Sequence, residues 1–127
     1  MATKKTRLLD KLPKEFNVGW ATFTFKLKKN LYSDGTKCFG TTDFNDYSIS
    51  LENSMSDKVA HATIIHEVCH ALMETLGLGG DHEKDEDIVV SSNEFITESA
   101  CRCFLLFRNL NPELWKLLFE EYYEQSE

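Results

Sequence analysis

This sequence has no long apolar run, few prolines and no excess of basic charge. No apolar stretch approaches the roughly 18 residues that a membrane-spanning helix needs, so we expect no membrane segment. Only two prolines occur in 127 residues, and none lies between Ser54 and Leu76, which leaves that stretch free to form one long helix. No signal peptide is recognisable and the four cysteines form no C-x-x-C pair, which favours reduced thiols in a cytoplasmic protein.

Length and composition predict a single domain spanning residues 1–127. An apolar content of 42%, with nine Phe, four Tyr and two Trp, is enough for one hydrophobic core. The formal net charge is −7, from 14 basic and 21 acidic side chains, and the basic ones are concentrated in residues 1–30. We interpret these as solvated lysines around an exposed strand rather than as an arm that docks an acidic partner. No nucleic-acid-binding signature is present, so no nucleic-acid partner is expected.

The order of the predicted elements, strands first and helices after, indicates an α+β domain. Phe23, Phe25 and Leu27 alternate with polar neighbours, which is the period of a strand with one buried face. Asp34-Gly35 predicts a chain reversal after it. The predicted elements are strands at 18–28, 37–42 and 47–51, which form a small antiparallel sheet, and helices at 54–76, 92–110 and 113–124.

The segment His66-Glu67-Val68-Cys69-His70 is the most informative part of the chain. It is an HExxH pattern inside a predicted helix that ends near Gly77. Residues four apart lie one above the other on a helix, so both imidazoles project from one face and can bind one metal ion, with Glu67 beside them. This arrangement is typical of zinc hydrolases. The alternative is a pair of core histidines bonded to backbone carbonyls, with Glu67 reaching solvent.

A zinc ion bound by two histidines needs a third protein ligand, and a carboxylate on the next helix is one common solution. Glu94 and Glu98 are both placed for this role, with His82 as a further candidate. Glu94 also has a structural explanation, because Ser91 and Glu94 fit an S-x-x-E capping box. The residues alone leave the third ligand open.

The N-E-x-x-T-E run at 93–98 closely resembles the third-ligand motif of the gluzincin metallopeptidases, the thermolysin-like branch of the HExxH zincins. This resemblance implies that Glu94 binds zinc. It also implies that Glu98 accepts the ring N–H of a ligating histidine, His66, and thereby fixes its tautomer.

More narrowly, the chain looks like the small phage-type and ImmA/IrrE-type HExxH proteins, in which an F-G-x-x-D strand precedes a T-x-x-H-E-x-x-H helix. Residues 39–43 and 63–70 fill those two places, and Asn111-Pro112 matches a feature of the phage members. The resemblance implies a minimal zincin-like domain, encoded by a phage and acting in the cytoplasm of a bacterial or phage-infected cell.

These observations predict a Zn²⁺-dependent metallopeptidase that acts on a peptide or protein substrate. His66 and His70 would bind the ion, whose water has a pKa of about 7 in such sites. Glu67 would accept a proton from this water as general base and pass it to the leaving amine. By the resemblance, the edge strand at 47–51 would bind the substrate by strand addition. Candidates for stabilising the oxyanion are Tyr47, Tyr122, Tyr123, His61 and His82, and surface packing also explains each of the tyrosines.

The alternative function is non-catalytic. A protein of the same fold could use a structural zinc to support a regulatory or partner-binding surface. The small size of the chain favours this reading, because a second lobe that would enclose a deep peptide cleft is absent from 127 residues.

Overall fold

The computed structural model describes residues 6–75 and 93–125, with the side chains of 75, 93–99, 101 and 125 outside that description. A short 3-10 helix at Leu8–Lys11 precedes six strands, and the helices follow. The strands are β1 (Glu15–Asn17), β2 (Thr22–Lys28), β3 (Tyr32–Ser33), β4 (Thr36–Lys37), β5 (Gly40–Asp43) and β6 (Ser48–Glu52). The helices are α1 (Asp57–Thr75), α2 (Asn93–Leu110), α3 (Pro112–Lys116) and α4 (Tyr122–Gln125), with a π-helical turn at Leu117–Glu121 between the last two. This order confirms the predicted α+β class.

The main sheet has four strands in the order β1-β2-β6-β5, while β3 and β4 form a separate two-stranded hairpin. The β1/β2 and β5/β6 pairs are antiparallel, but β2 and β6 run parallel. The prediction of about three antiparallel strands was therefore wrong in both number and direction. Parallel neighbours need a long connection, and the chain provides one, because the hairpin and β5 lie between β2 and β6.

Strand β6 is central, with β2 on one side and β5 on the other. All five of its residues are buried, and Ile49 and Leu51 have no exposed surface. Its last residue, Glu52, accepts hydrogen bonds from the backbone N–H groups of Leu31 and Ser54, which lower the pKa of this carboxyl. The prediction that the strand at 47–51 binds a peptide at a free edge was wrong, since both of its edges are paired. Among the described strands, β5 forms the edge on this side of the sheet.

Helix α1 packs one face on the sheet. Its buried side chains recur every three or four positions, as expected for an amphipathic helix, whereas His66 and His70 are exposed. The buried residues on this face are Ala60, Ile64, Glu67, Val68, Ala71 and Leu72. None of the described helices is long and apolar enough to cross a membrane.

The helices after α2 fold back on the domain and are held by His61 of α1. The ring nitrogen Nε2 of His61 donates to the carbonyl of Leu118 at 2.8 Å, and the ring stacks on Tyr122 with centroids 3.8 Å apart. Leu118 lies in the π-helical turn, where the regular i to i−4 pattern is interrupted. His61 therefore supplies a donor to a carbonyl in the irregular turn.

Asn111 joins the end of α2 to the first strand of the sheet. Its side-chain oxygen accepts the N–H of Asn17 at 2.7 Å, and its side-chain nitrogen donates to the carbonyl of Asn17 at 2.8 Å. Asn111 thus pairs with β1 as a neighbouring strand would. Pro112 follows at the first position of α3, where its missing N–H costs nothing.

Replacing Asn111 by alanine is expected to lower the free energy of unfolding by about 1–2 kcal/mol, because both backbone groups of a part-buried Asn17 lose their partner. Urea unfolding followed by circular dichroism measures this change. The matched control is Asn109→Ala, an exposed position two residues earlier, which should stay within about 0.5 kcal/mol of the wild type. Equal effects of the two substitutions would show that the Asn111 bridge does not stabilise the fold.

Candidate metal centre

His66 and His70 lie one helical turn apart on the exposed face of α1. Their Nε2 atoms are 3.1 Å apart, and the ring centroids are separated by 4.7 Å with the planes at 79°. The side chain of His66 is 67% exposed. Both rings therefore direct the same nitrogen to one point that is open to solvent, which leaves their Nδ1 atoms for other partners.

This spacing fits a shared metal ion. Two nitrogens that each lie 2.0–2.1 Å from a tetrahedral zinc ion are about 3.3 Å apart, close to the observed 3.1 Å. Two neutral imidazoles at this distance can also share one hydrogen bond, and a bound cation would take the place of that proton. His66, Glu67 and His70 each offer one ligand atom within 4.8 Å of the others. The donor set suits a divalent ion, and nothing in it selects zinc over other divalent metals.

Glu67 is the buried member of this cluster, with 6% of its surface exposed. The hydroxyl of Thr42, on β5, donates to Glu67 Oε1 at 2.7 Å. The other oxygen, Oε2, lies 4.0 Å from His66 Nε2. The interpretation in which Glu67 reaches solvent was wrong, because the sheet edge covers this carboxylate and leaves one oxygen towards the histidines.

Gly40 lets β5 come close enough for this contact. A Cβ atom at Gly40 would lie 2.8 Å from Cγ2 of Thr63 and 2.9 Å from Cγ of Glu67, closer than packed carbon atoms approach. Gly40 and Thr42 are two residues apart on one strand, so they face the same side, and both meet Glu67. The F-G-x-x-D and T-x-x-H-E segments thus pack against each other.

A shallow cavity of about 330 Å³ opens beside His66. One wall is the exposed ring of Phe39, and the opposite wall is α1. The cavity is lined by Phe39, Gly40, Ala62, Thr63, His66 and Glu67. A side chain of a bound peptide that entered this cavity would therefore lie next to the candidate metal position.

Three predicted site residues fall wholly or partly outside the described structure. Glu94 and Glu98 lie in α2, as expected, but their side chains are not among those described, and His82 lies outside the described residues. Glu94 and Glu98 occupy the first two turns of the helix. The third ligand therefore stays a prediction.

Of the candidates for oxyanion stabilisation, those that the structure describes take part in packing. Tyr122 and Tyr123 contact the ring of His61. Tyr47 makes edge contacts with Trp20 and Phe23. Among the described residues, sequence reasoning missed Thr42, although the alternation of β5 that begins at Gly40 gave a signal that would have placed it on the Glu67 side.

No family model matches this chain, and neither the curated proteins nor the solved structures contain a similar one at a significant level. Support for a metal-binding cluster therefore comes from the geometry of His66, Glu67 and His70.

We expect Gly40→Ala to force β5 away from α1 and to destabilise the domain by about 1–3 kcal/mol, the usual cost of overpacking. The thermal midpoint and the unfolding free energy measure this effect. Thr41→Ala, on the opposite face of the same strand, is the control and should change stability less. A Gly40→Ala protein as stable as the wild type would show that the two segments do not pack as closely as described.

Substituting His66 by alanine should abolish stoichiometric metal binding, because one of the two converging nitrogens is lost. Elemental analysis after dialysis against zinc, with cobalt absorption as a second measurement, tests this. His61→Ala is the control, since His61 is bonded to Leu118, and should retain one ion per folded chain. Equal metal contents in His66→Ala and wild type would show that this cluster is not a metal-binding site.

Proposed function

We propose that this protein is a zinc-dependent metallopeptidase. The observation that supports this most is the meeting of two Nε2 atoms at 3.1 Å beside a buried carboxylate whose free oxygen lies 4.0 Å from one of them. Peptide hydrolysis by a metal needs these parts: an ion with an open position, and a base beside the water bound there. The exposed face of α1 keeps the metal position open to solvent.

His66 and His70 hold the ion in this proposal, and Glu94 supplies the third ligand, as the resemblance to the gluzincins implies. Glu98 would then orient His66 through its second ring nitrogen, Nδ1, which the facing Nε2 atoms leave available. Both glutamates lie on α2. Metal affinity should fall further in Glu94→Gln than in Glu98→Gln if these two roles are assigned correctly.

The chemistry that zinc supplies is to polarise the scissile carbonyl and to lower the pKa of a bound water to about 7. Glu67 accepts the proton of this water at Oε2, which faces the histidines, and releases it to the nitrogen of the leaving amine. Burial of Glu67 keeps competing solvent from this carboxylate.

The substrate would lie as an extended peptide beside β5, the free edge of the sheet nearest to α1. Backbone pairing at a sheet edge binds peptides with little regard to sequence, and pockets between the pairs select side chains. The cavity beside Phe39 is placed to receive one such side chain. Free thiols at Cys38, Cys69 and Cys103 suit a reducing compartment, such as the cytoplasm of a bacterial or phage-infected cell.

Glu67→Gln is expected to lower peptide hydrolysis at least 100-fold, because the amide cannot accept the proton, while zinc stays bound at one ion per chain. Release of fluorescence from labelled casein and from quenched peptide mixtures measures hydrolysis. Glu74→Gln, two turns further along α1, is the control and should retain wild-type activity. Cleavage by Glu67→Gln at the wild-type rate would contradict the assignment of the general base.

Zinc binding without hydrolysis by the wild type would favour the alternative, a non-catalytic protein with a structural ion. The two functions also differ on chelation. Removing a structural ion unfolds a small domain, whereas removing a catalytic ion leaves it largely folded. Circular dichroism with and without EDTA separates the two cases.

A further inference from the structure

We infer that Thr42 is a positioning residue for the proposed reaction: by donating to Oε1 of Glu67, it reserves Oε2 for the proton of the attacking water. This inference rests on the proposed function and adds to it a residue on a different element, the edge strand β5.

The geometry distinguishes the two carboxylate oxygens. Oε1 is occupied by the Thr42 hydroxyl at 2.7 Å, whereas Oε2 faces His66 Nε2 at 4.0 Å. The gap of 4.0 Å is too long for a direct hydrogen bond, and a water at the candidate metal position would lie on this side. One carboxylate oxygen of Glu67 is therefore hydrogen-bonded to the sheet, and the other is available to accept a proton.

A threonine hydroxyl has one proton to donate. Its two acceptors here are Glu67 Oε1 at 2.7 Å and the Glu67 backbone carbonyl at 3.3 Å, and the shorter bond to a charged oxygen is the stronger one. When Glu67 takes a proton at Oε2, Oε1 becomes the carbonyl oxygen and still accepts from Thr42. The contact thus persists through both protonation states, and the proton stays on the oxygen that faces the leaving amine.

The packing around Glu67 restricts it further. Gly40 brings the backbone of β5 against Cγ of Glu67. This contact keeps the aliphatic part of the Glu67 side chain in place when the Thr42 hydroxyl is removed, so that only the carboxylate group can rotate. Loss of the hydroxyl would therefore act on the orientation of the two oxygens, and on the proton preference between them, rather than on the overall position of the residue.

The test compares zinc-loaded wild type with Thr42→Val, which removes the hydroxyl at nearly constant shape, and Thr42→Ser, which restores it. Two readouts are used: kcat and KM on a quenched peptide, and the affinities for acetohydroxamate and imidazole. Acetohydroxamate chelates a metal ion and also donates a proton to the neighbouring carboxylate. Imidazole binds only the metal ion and makes no bond to Glu67, so it reports on the metal ion by itself. Thr41→Val, on the opposite face of β5, is the matched control.

For Thr42→Val we expect kcat to fall about 10- to 100-fold with KM nearly unchanged, the usual effect of losing a partner that orients a functional side chain. Acetohydroxamate affinity should fall about tenfold, while imidazole affinity and zinc content stay at wild-type values. Thr42→Ser should recover kcat to within about threefold of the wild type, and Thr41→Val should match the wild type in every readout.

The inference is overturned if Thr42→Val keeps wild-type kcat and acetohydroxamate affinity, or if acetohydroxamate and imidazole affinities fall together, which would indicate general loosening. A wild type that binds zinc and cleaves no peptide refutes the proposed function, yet the comparison of the two ligands still decides whether Thr42 orients Glu67. A wild type that binds no zinc overturns both.

Discussion

The close contact between the edge strand β5 and the helix α1 is the constraint on which the candidate site depends. It buries one carboxylate, Glu67, and gives one of its oxygens a partner in the Thr42 hydroxyl. A buried carboxyl group without a partner would be costly, and this contact supplies a hydrogen-bond donor to Glu67. The missing side chain at Gly40 makes the contact possible.

The site is asymmetric in its exposure, and this suits its proposed chemistry. The imidazoles of His66 and His70 face solvent, where an ion could reach them, while Glu67, adjacent to His66 in sequence, faces the sheet. One helix achieves both because adjacent residues point about 100° apart around its axis. A carboxylate held in this way keeps a fixed orientation, and the side of the helix that carries the two histidines stays open.

The helical half of the fold and the two histidines were predictable from local pattern. Helix α2 was expected at 92–110 and spans Asn93–Leu110. Its bounds were predictable because a long periodic segment has a serine before it and a proline after it, and both residues mark helix ends. The sheet was less predictable. Strand β1 has only three residues, too few to show a period, and the parallel pairing of β2 with β6 depends on contacts between distant segments that alternation cannot report. The same limit hid which strand forms the edge, and with it the partner of Glu67.

Most of the described site residues come from β5 and α1, which together with β6 between them span residues 40–75. Bringing them together closes only short loops, and short loops cost little chain entropy. The pairing of β2 with β6 closes a longer stretch of chain. The histidine pair and its supporting strand therefore need less chain closure to come together than the centre of the sheet does.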